Sequence, residues 1–431
     1  MMNFILQNAL DTKGRSVEVV IEGGLIASTK SKDIDHELVD CSGLHVLPGF
    51  VDLHTHLREP GFENSETIRT GSISAAAGGY TAVHAMANTF PVADTAGVVE
   101  QVLRIGKQVG LVHVQPIGAV TVGLAGEQLA ELGAMHDSAA RVRIFSDDGN
   151  CVHDPLLMRR ALEYVKGFNG IVAQHAQDPR LTKNAQMNEG GISSRLGLAG
   201  WPALAEESII ARDIMLTELT ASKLHVCHVS TRRSVELIRE AKSKGIQVTA
   251  EVTAHHLLLT EDLAESYDPV YKVNPPLRKA DDAMALREAL VDGTIDVIAT
   301  DHAPHPKESK DTDWASAAFG MIGLEFAYTV AQQVLIDSGA SNLDRLAEVM
   351  STAPARISGL DGQGNYLLPG SPANLTLVNL GQAWVGEAKT HSKSSNNPYQ
   401  GLEFKGRVVH TIFDGEFTLK DQTIRGANID V

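Results

Sequence analysis

The sequence predicts an α/β protein: a (β/α)8 TIM barrel with a small β-sandwich domain formed by both termini. Three observations predict it. Apolar strand-like runs alternate eight times with helix-like stretches through the middle of the chain. β-rich segments with hairpin signals occupy both ends. Histidines and aspartates collect where the middle runs end, and a barrel of this kind carries its chemistry at the C-terminal ends of its strands.

The elements follow in order. Phe4 to Leu6, Val17 to Ile21 and Leu25 to Ala27, with Glu22-Gly23-Gly24 between the last two, read as short strands and a hairpin. The eight middle runs are Val46–Leu53, Thr81–Ala87, Val112–Ile117, Val142–Ser146, Ile171–Gln174, Leu224–Val229, Ile246–Val252 and Ile295–Thr300. Capped helices lie between them. One begins at Ser65 and stops at Gly78-Gly79, one begins at Ser230-Thr231 with Gly245 after it, and one spans Asp281 to Val291 before Gly293. Beyond them, Leu375 to Val378, then Val408 to Phe413, Asp414-Gly415 and Glu416 to Leu419 restore the β texture. The expected division is 1–45 and 356–431 for the two parts of the β domain and 46–355 for the barrel. An open doubly wound sheet is the alternative, weakened by the lack of Gly-x-Gly-x-x-Gly after the first run.

Composition narrows the function. With 431 residues, 43% hydrophobic and 21% charged, the chain is ordinary globular protein. A formal charge of −16, from 37 basic and 53 acidic residues, argues against nucleic acid or an anionic membrane as partner. Cys41, Cys151 and Cys227 have no Cys-x-x-Cys spacing and read as reduced thiols in a reducing compartment. With neither a signal-peptide pattern nor an apolar run of about 18 residues, a cytoplasmic location is expected.

The first run leads into DLHTHLREPG, residues 52–61. In a strand, residues two apart share a face, so His54 and His56 can reach one point. Imidazole suits zinc and its neighbours. The fourth run ends in Asp147-Asp148-Gly149, the fifth in His175, the sixth in His228, and the eighth in Asp301 within ATDHAPH. Four histidines and two carboxylates exceed the roughly three protein ligands of one catalytic zinc. They suit two ions about 3.5–4 Å apart with a bridging carboxylate. Two cations sharing a water lower its pKa and make a nucleophile for a carbonyl, and Asp301 is placed to move the proton. Arg58 can clamp a carboxylate, or pair at the surface with Glu59 or Glu63. Asn274 offers donor and acceptor, or serves as a turn residue before Pro275-Pro276. His255 and His256 are open between support of the site and a structural role. His45, His84, His113, His136, His153, His225, His391 and His410 read as structural, and His302 points away from Asp301 if the strand stays regular.

Together DLHTHLREPG, FSDDG, His175, CHVS, VNPPLR, ATDHAPH, GISSRLGLAGWPALAEE and FGMIGLE resemble the bacterial type I dihydroorotases of the amidohydrolase superfamily, over nearly the whole chain. The resemblance implies two zinc ions per subunit, bridged by Asp148 and a hydroxide. His54, His56 and Asp301 would bind the more buried ion, and His175 and His228 the other. Relatives such as hydantoinases bridge with a carboxylated lysine; FSDDG has none. Asp148, next to Gly149, takes that role by its place in the motif, with Asp147 as the alternative. Arg58, Asn88 and His305 would bind the substrate carboxylate, with His56 and Leu57 beside them. Asn274 would face the cyclic imide, and Phe319 and Gly320 would offer backbone groups. Residues 306–318 read as a mobile lid, or as an ordinary solvated loop.

The implied reaction is the reversible cyclisation of N-carbamoyl-L-aspartate to L-dihydroorotate in pyrimidine biosynthesis, with Asp301 as the catalytic proton carrier. A hydantoinase or allantoinase activity is the nearest rival, and a non-catalytic partner of aspartate transcarbamoylase another. A homodimer is expected, and association with the transcarbamoylase is left open.

Overall fold

The computed structural model describes residues 3–31 and 35–426. Eight parallel strands form two sheets. Phe50–Thr55, Tyr80–Ala85 and His113–Pro116 make one. Ile144–Phe145, Ile171–Gln174, Leu224–Val226, Val248–Thr253 and Val297–Ala299 make the other, paired in chain order. Parallel bridges Gly118↔Phe145 and Thr55↔His302 join the sheets at both edges. At the second junction the His56 N–H donates to the His302 carbonyl at 2.9 Å.

Alternate residues of these strands divide between two apolar clusters. Ile171, Ala173, Val297 and Ala299 fall in one, and Val172 and Ile298 in the other. That is the two-residue period of a strand buried on both faces. Two helices keep the expected caps at Thr231 and Gly293, whereas the first is capped by Thr67 and not by Ser65, where the sequence places its start. Thr67 and Thr231 each accept from a first-turn N–H of Ile68–Ala77 and Arg232–Ser243, and Ala280–Asp292 stops at Gly293 in the left-handed region.

The ends of the chain pair with each other. Nine strands form one hydrogen-bonded sheet, five from the N-terminal segment and four from the C-terminal segment. They meet where Leu375–Val385 runs antiparallel to His45–Pro48, Leu375 opposite Pro48. Phe4, Leu6, Val19, Ile21, Val46, Leu375, Leu377 and Ile412 share its core. The expected run Val46–Leu53 is therefore cut in two. Its first part belongs to this sheet and its second, from Phe50, to the parallel set. Gly49 is the transfer point: its N–H donates to Asn374 O at 2.9 Å, and a Cβ there would lie 2.3 Å from Thr81 Oγ1. The predicted Asp414-Gly415 hairpin is present between Glu403–Phe413 and Glu416–Lys420, both turn residues having positive φ.

Candidate active site

The six side chains singled out by their positions meet at the C-terminal ends of the parallel strands, all buried. Asp148 lies at the centre. Its Oδ1 is 3.4 Å from His54 Nε2, 3.1 Å from His175 Nδ1 and 3.2 Å from His228 Nε2, and its Oδ2 is 3.3 Å from His56 Nε2. Asp301 Oδ1 lies 3.0 Å from His56 Nε2 and 3.5 Å from His54 Nε2. Two triplets, His54-His56-Asp148 and Asp148-His175-His228, each bring one ligand atom per residue within 4.8 Å of the others. Three residues here sit in the left-handed backbone region: Arg58 at φ 63°, His228 at 31° and Asp301 at 44°. Such conformations in non-glycine residues cost energy and gather at functional sites.

The cluster fits a divalent cation. His54 Nε2 is buried without a hydrogen-bond partner among the described residues, yet faces oxygens of two carboxylates. Burial lowers the His54 pKa, but Asp148, Asp301 and Glu251 outweigh it and hold it well above its ordinary value. Burial likewise pushes Asp301 up, and His54 and His56 reverse this to about 2. A field that draws a proton to this nitrogen also draws a metal ion, which competes with the proton for the same lone pair.

Asp147 plays a different part. Its Oδ1 accepts from the N–H groups of Val120 and Thr121 at 2.8 and 2.9 Å, and its Oδ2 accepts from the Thr121 hydroxyl. It fixes the loop after the third strand. His302 turns away from the cluster, toward Glu66 at 3.3 Å and the Gly323 N–H at 3.2 Å.

The expected substrate residues lie beside the cluster. His56 Nδ1–H donates to Asn88 Oδ1 at 2.9 Å, which orients the ring and leaves the Asn88 amide N–H groups as donors. Arg58 forms neither of the surface ion pairs open to it; its Nε donates to Pro304 O at 3.1 Å. Burial pulls its pKa to about 10, still cationic at neutral pH. Its Nη2 is 3.4 Å from His305 Nε2. Because His305 Nε2 also lies 2.8 Å from the Phe319 carbonyl, which only accepts, that nitrogen carries the proton and the Arg58 contact is packing. Burial and the nearby Arg58 charge push His305 down to about 3. Asn274 Nδ2 donates to Gln177 Oε1 at 3.0 Å, and its Oδ1 is a buried acceptor without a partner among the described residues.

Three expected contacts look different. The Leu57 side chain belongs to the apolar core, so a ligand meets only its backbone. The Phe319 carbonyl and both backbone groups of Gly320 are bonded within the chain, to His305, Lys272, Lys310 and Asn396. A ligand reaches the Gly320 groups only by exchange, while the Phe319 carbonyl keeps a second lone pair. The segment 306–318 is not an ordinary solvated loop. Lys310 Nζ donates to the carbonyls of Lys272, Ala318 and Gly320 at 3.1, 2.9 and 3.0 Å. Lys272 Nζ donates to those of Trp314, Ala315 and Ala317 at 2.7, 3.1 and 2.8 Å.

Sequence reasoning missed three supporting residues. Gln177 Oε1 accepts from His175 Nε2 at 2.7 Å, leaving Nδ1 for the cluster. Glu251 Oε1 accepts from His54 Nδ1 at 2.6 Å, and its other oxygen lies 3.1 Å from His225 Nε2, so His225 stands one residue from the cluster. Asn396 donates to Ala303 O and Gly320 O at 2.9 and 3.1 Å and accepts from the His305 N–H at 3.1 Å. Glu251 carried a signal: a charge inside an apolar run is rarely buried unless paired. Asn396 carried none.

Parallel strands ending in a nest of imidazoles and carboxylates, with a desolvated arginine at its edge, define a hydrolase of the cyclic amidohydrolase class. Comparison with known proteins agrees. A family model described as dihydro-orotase-like matches residues 43–234. A dihydroorotase of Streptomyces coelicolor is 59% identical, covering 98% of this chain and 99% of that protein. Those of Leifsonia xyli and Mycobacterium tuberculosis are 57% and 51% identical, covering 98% and 96% of this chain and 97% of each relative. Among solved structures, an L-hydantoinase (dihydropyrimidinase) from Arthrobacter aurescens superposes with a TM-score of 0.87 at 27% identity, covering 99% of this chain and 98% of that one. A dihydropyrimidinase from Brevibacillus agri, at 23% identity and a TM-score of 0.83, shares the fold over 98% of this chain and 96% of its own. The chain belongs to the dihydroorotase family.

Proposed function

We propose that this protein interconverts N-carbamoyl-L-aspartate and L-dihydroorotate, on a closed (β/α)8 barrel of about residues 46–355 flanked by a β-sandwich of 1–45 and 356–431. The observation that carries the substrate assignment is Arg58: a desolvated, permanently charged fork beside the imidazole–carboxylate cluster, with the free Asn88 amide next to it. Such a pair recognises a carboxylate, which dihydroorotate bears on its ring and hydantoin and allantoin lack at that position.

His54, His56 and Asp301 would hold one zinc ion and His175 and His228 a second, with Asp148 between them. Bound there, the ions would supply Lewis acidity and an activated water. The chain's own groups do the rest. Arg58, with Asn88, fixes the ring by its carboxylate; the one N–H of neutral His305 is bonded to the Phe319 carbonyl and reaches the carboxylate only by leaving it. The unpaired Asn274 Oδ1 accepts from a ring N–H. Asp301 delivers a proton to the leaving nitrogen in hydrolysis, and starts protonated in cyclisation. Three buried free thiols suit a reducing cytoplasm. A homodimer is expected by resemblance, and so is the option of a transcarbamoylase partner.

The test is turnover of dihydroorotate, hydantoin and allantoin with a metal count on the same protein. Dihydroorotate should be strongly preferred, and R58A should raise its KM by about 30-fold, the loss of a desolvated charge pair worth roughly 2 kcal/mol. Preference for hydantoin would move the chain to the rival activity. Absence of bound metal together with absence of turnover would make it a non-catalytic subunit.

A further inference from the structure

Beneath the cluster, between strands Leu224–Val226 and Val248–Thr253, lies a buried polar chain that the reaction does not use directly. Thr249 Oγ1 is 2.8 Å from His225 Nδ1, His225 Nε2 is 3.1 Å from Glu251 Oε2, and Glu251 Oε1 is 2.6 Å from His54 Nδ1. Glu251 is fully buried, and each of its oxygens has one imidazole nitrogen. A carboxylate cannot donate, so both facing nitrogens carry hydrogen. That fixes His54: Nδ1 holds a proton against Glu251, and Nε2, facing Asp148 and Asp301, is the nitrogen left for a metal ion. The opposite tautomer would set Nδ1 against the carboxylate and point a proton at the cluster. His225 fixes the rotation of Glu251, and Thr249 fixes His225. Cys227 also lies near His54 and Glu251, but burial pushes its thiol up and leaves it protonated. His54 Nδ1 is already committed to Glu251, so this triplet is no separate metal site.

We propose that Glu251 is a positioning residue that locks His54 as the Nδ1–H tautomer and makes Nε2 its metal-ligating nitrogen, with His225 and Thr249 holding Glu251 in register. This rests on reading the six-residue cluster as a metal centre. It adds a requirement on a residue that touches neither metal nor substrate. An outer partner of a ligating histidine is worth about 10- to 100-fold in metal affinity.

The test is zinc affinity, measured by chelator competition on wild type, E251Q and H225Q, alongside melting of the zinc-free proteins and histidine 15N shifts. E251Q preserves volume but removes the charge, and its amide can present N–H groups to His54 and favour the other tautomer. The expected result is a zinc-free melt like wild type, affinity weaker by about 10- to 100-fold, and a His54 15N pattern shifted toward Nε2–H. Wild-type affinity and an unchanged His54 pattern in E251Q would overturn the proposal. Failure of the wild type to bind zinc would instead overturn the metal reading on which it rests. If E251Q does not melt cooperatively, H225Q decides, since it leaves Glu251 in place and removes only its anchor: weakened zinc affinity supports the proposal and wild-type affinity overturns it.

Discussion

Asp301 shows how much one residue's surroundings decide. Its side chain faces both His54 and His56, its φ is 44°, and its neighbour His302 is tied to Glu66 and Gly323. With Thr300 bonded to Asp52 on one side and His302 tied down on the other, the carboxylate is held at the cluster by both flanks of its own backbone. D301N keeps the volume but cannot carry the proton. Turnover should fall by at least about 100-fold while bound zinc, counted on the same sample, is largely retained through the other five ligands. A variant that turns over at the wild-type rate would remove the assigned role. At this scale the sequence was highly legible, because chemistry demands residue types at strand ends. His54, His56, Asp148, His175, His228 and Asp301 were all singled out that way, and the fold brings them together. Asp148 was separated from Asp147 only by motif position, and the reason is visible in the fold: Asp147 is spent on the N–H groups of Val120 and Thr121.

At the scale of single elements, the segment between the last strand and Gly320 is the informative case. Polar composition made 306–318 read as lid or loop. Its anchoring depends on Lys272, far away in sequence, and on backbone carbonyls, which no sequence pattern displays. K310M keeps the apolar stem and removes three donated bonds. Amide hydrogen exchange across 306–320 should accelerate markedly while the parallel strands keep their protection. Unchanged exchange would show that Lys272 and Trp314 suffice.

The helix Leu204–Thr220 makes a pH prediction. Asp213 on it is buried, accepting from Gln174 Nε2 at 2.8 Å and from Arg212 at 2.6 and 2.8 Å. Burial outweighs these partners and raises its pKa to about 6. The folded state then binds more protons than the unfolded one between the two pKa values. The stability this group contributes is complete below about pH 4 and lost as pH rises through about 6. The stability difference between wild type and D213N, from urea melts at pH 4.5 and 7, should be larger at the lower pH. The full span is about 3 kcal/mol at most. A pH-independent difference would contradict it.

Across the whole molecule, the two ends of the chain do more than form a sheet. The C-terminal segment returns to the mouth of the parallel strands, where Ser394 Oγ donates to Ser65 O at 2.7 Å and Asn396 joins Ala303, Gly320 and His305. The pocket proposed for the substrate carboxylate is thus finished by residues from beyond the parallel strands. N396A should raise the dihydroorotate KM more than it lowers kcat, at unchanged zinc content. A fall in kcat alone would separate this segment from substrate binding. The pairing of both ends was legible from their shared β texture. The transfer of one strand between two sheets at Gly49 was not, since an apolar run says that a segment is buried but not against what.

The junction of Thr55 with His302 has a consequence for how the protein is made. The first and last strands of the parallel set meet beside Asp301, and that last strand leaves the ribosome long after the first. A nascent chain that stops short of it has five of the six clustered side chains and lacks Asp301 and the strand that closes the set. On the proposed reading of the cluster as a metal centre, loading is therefore a late event, following synthesis of the final strand and of the C-terminal segment that braces it.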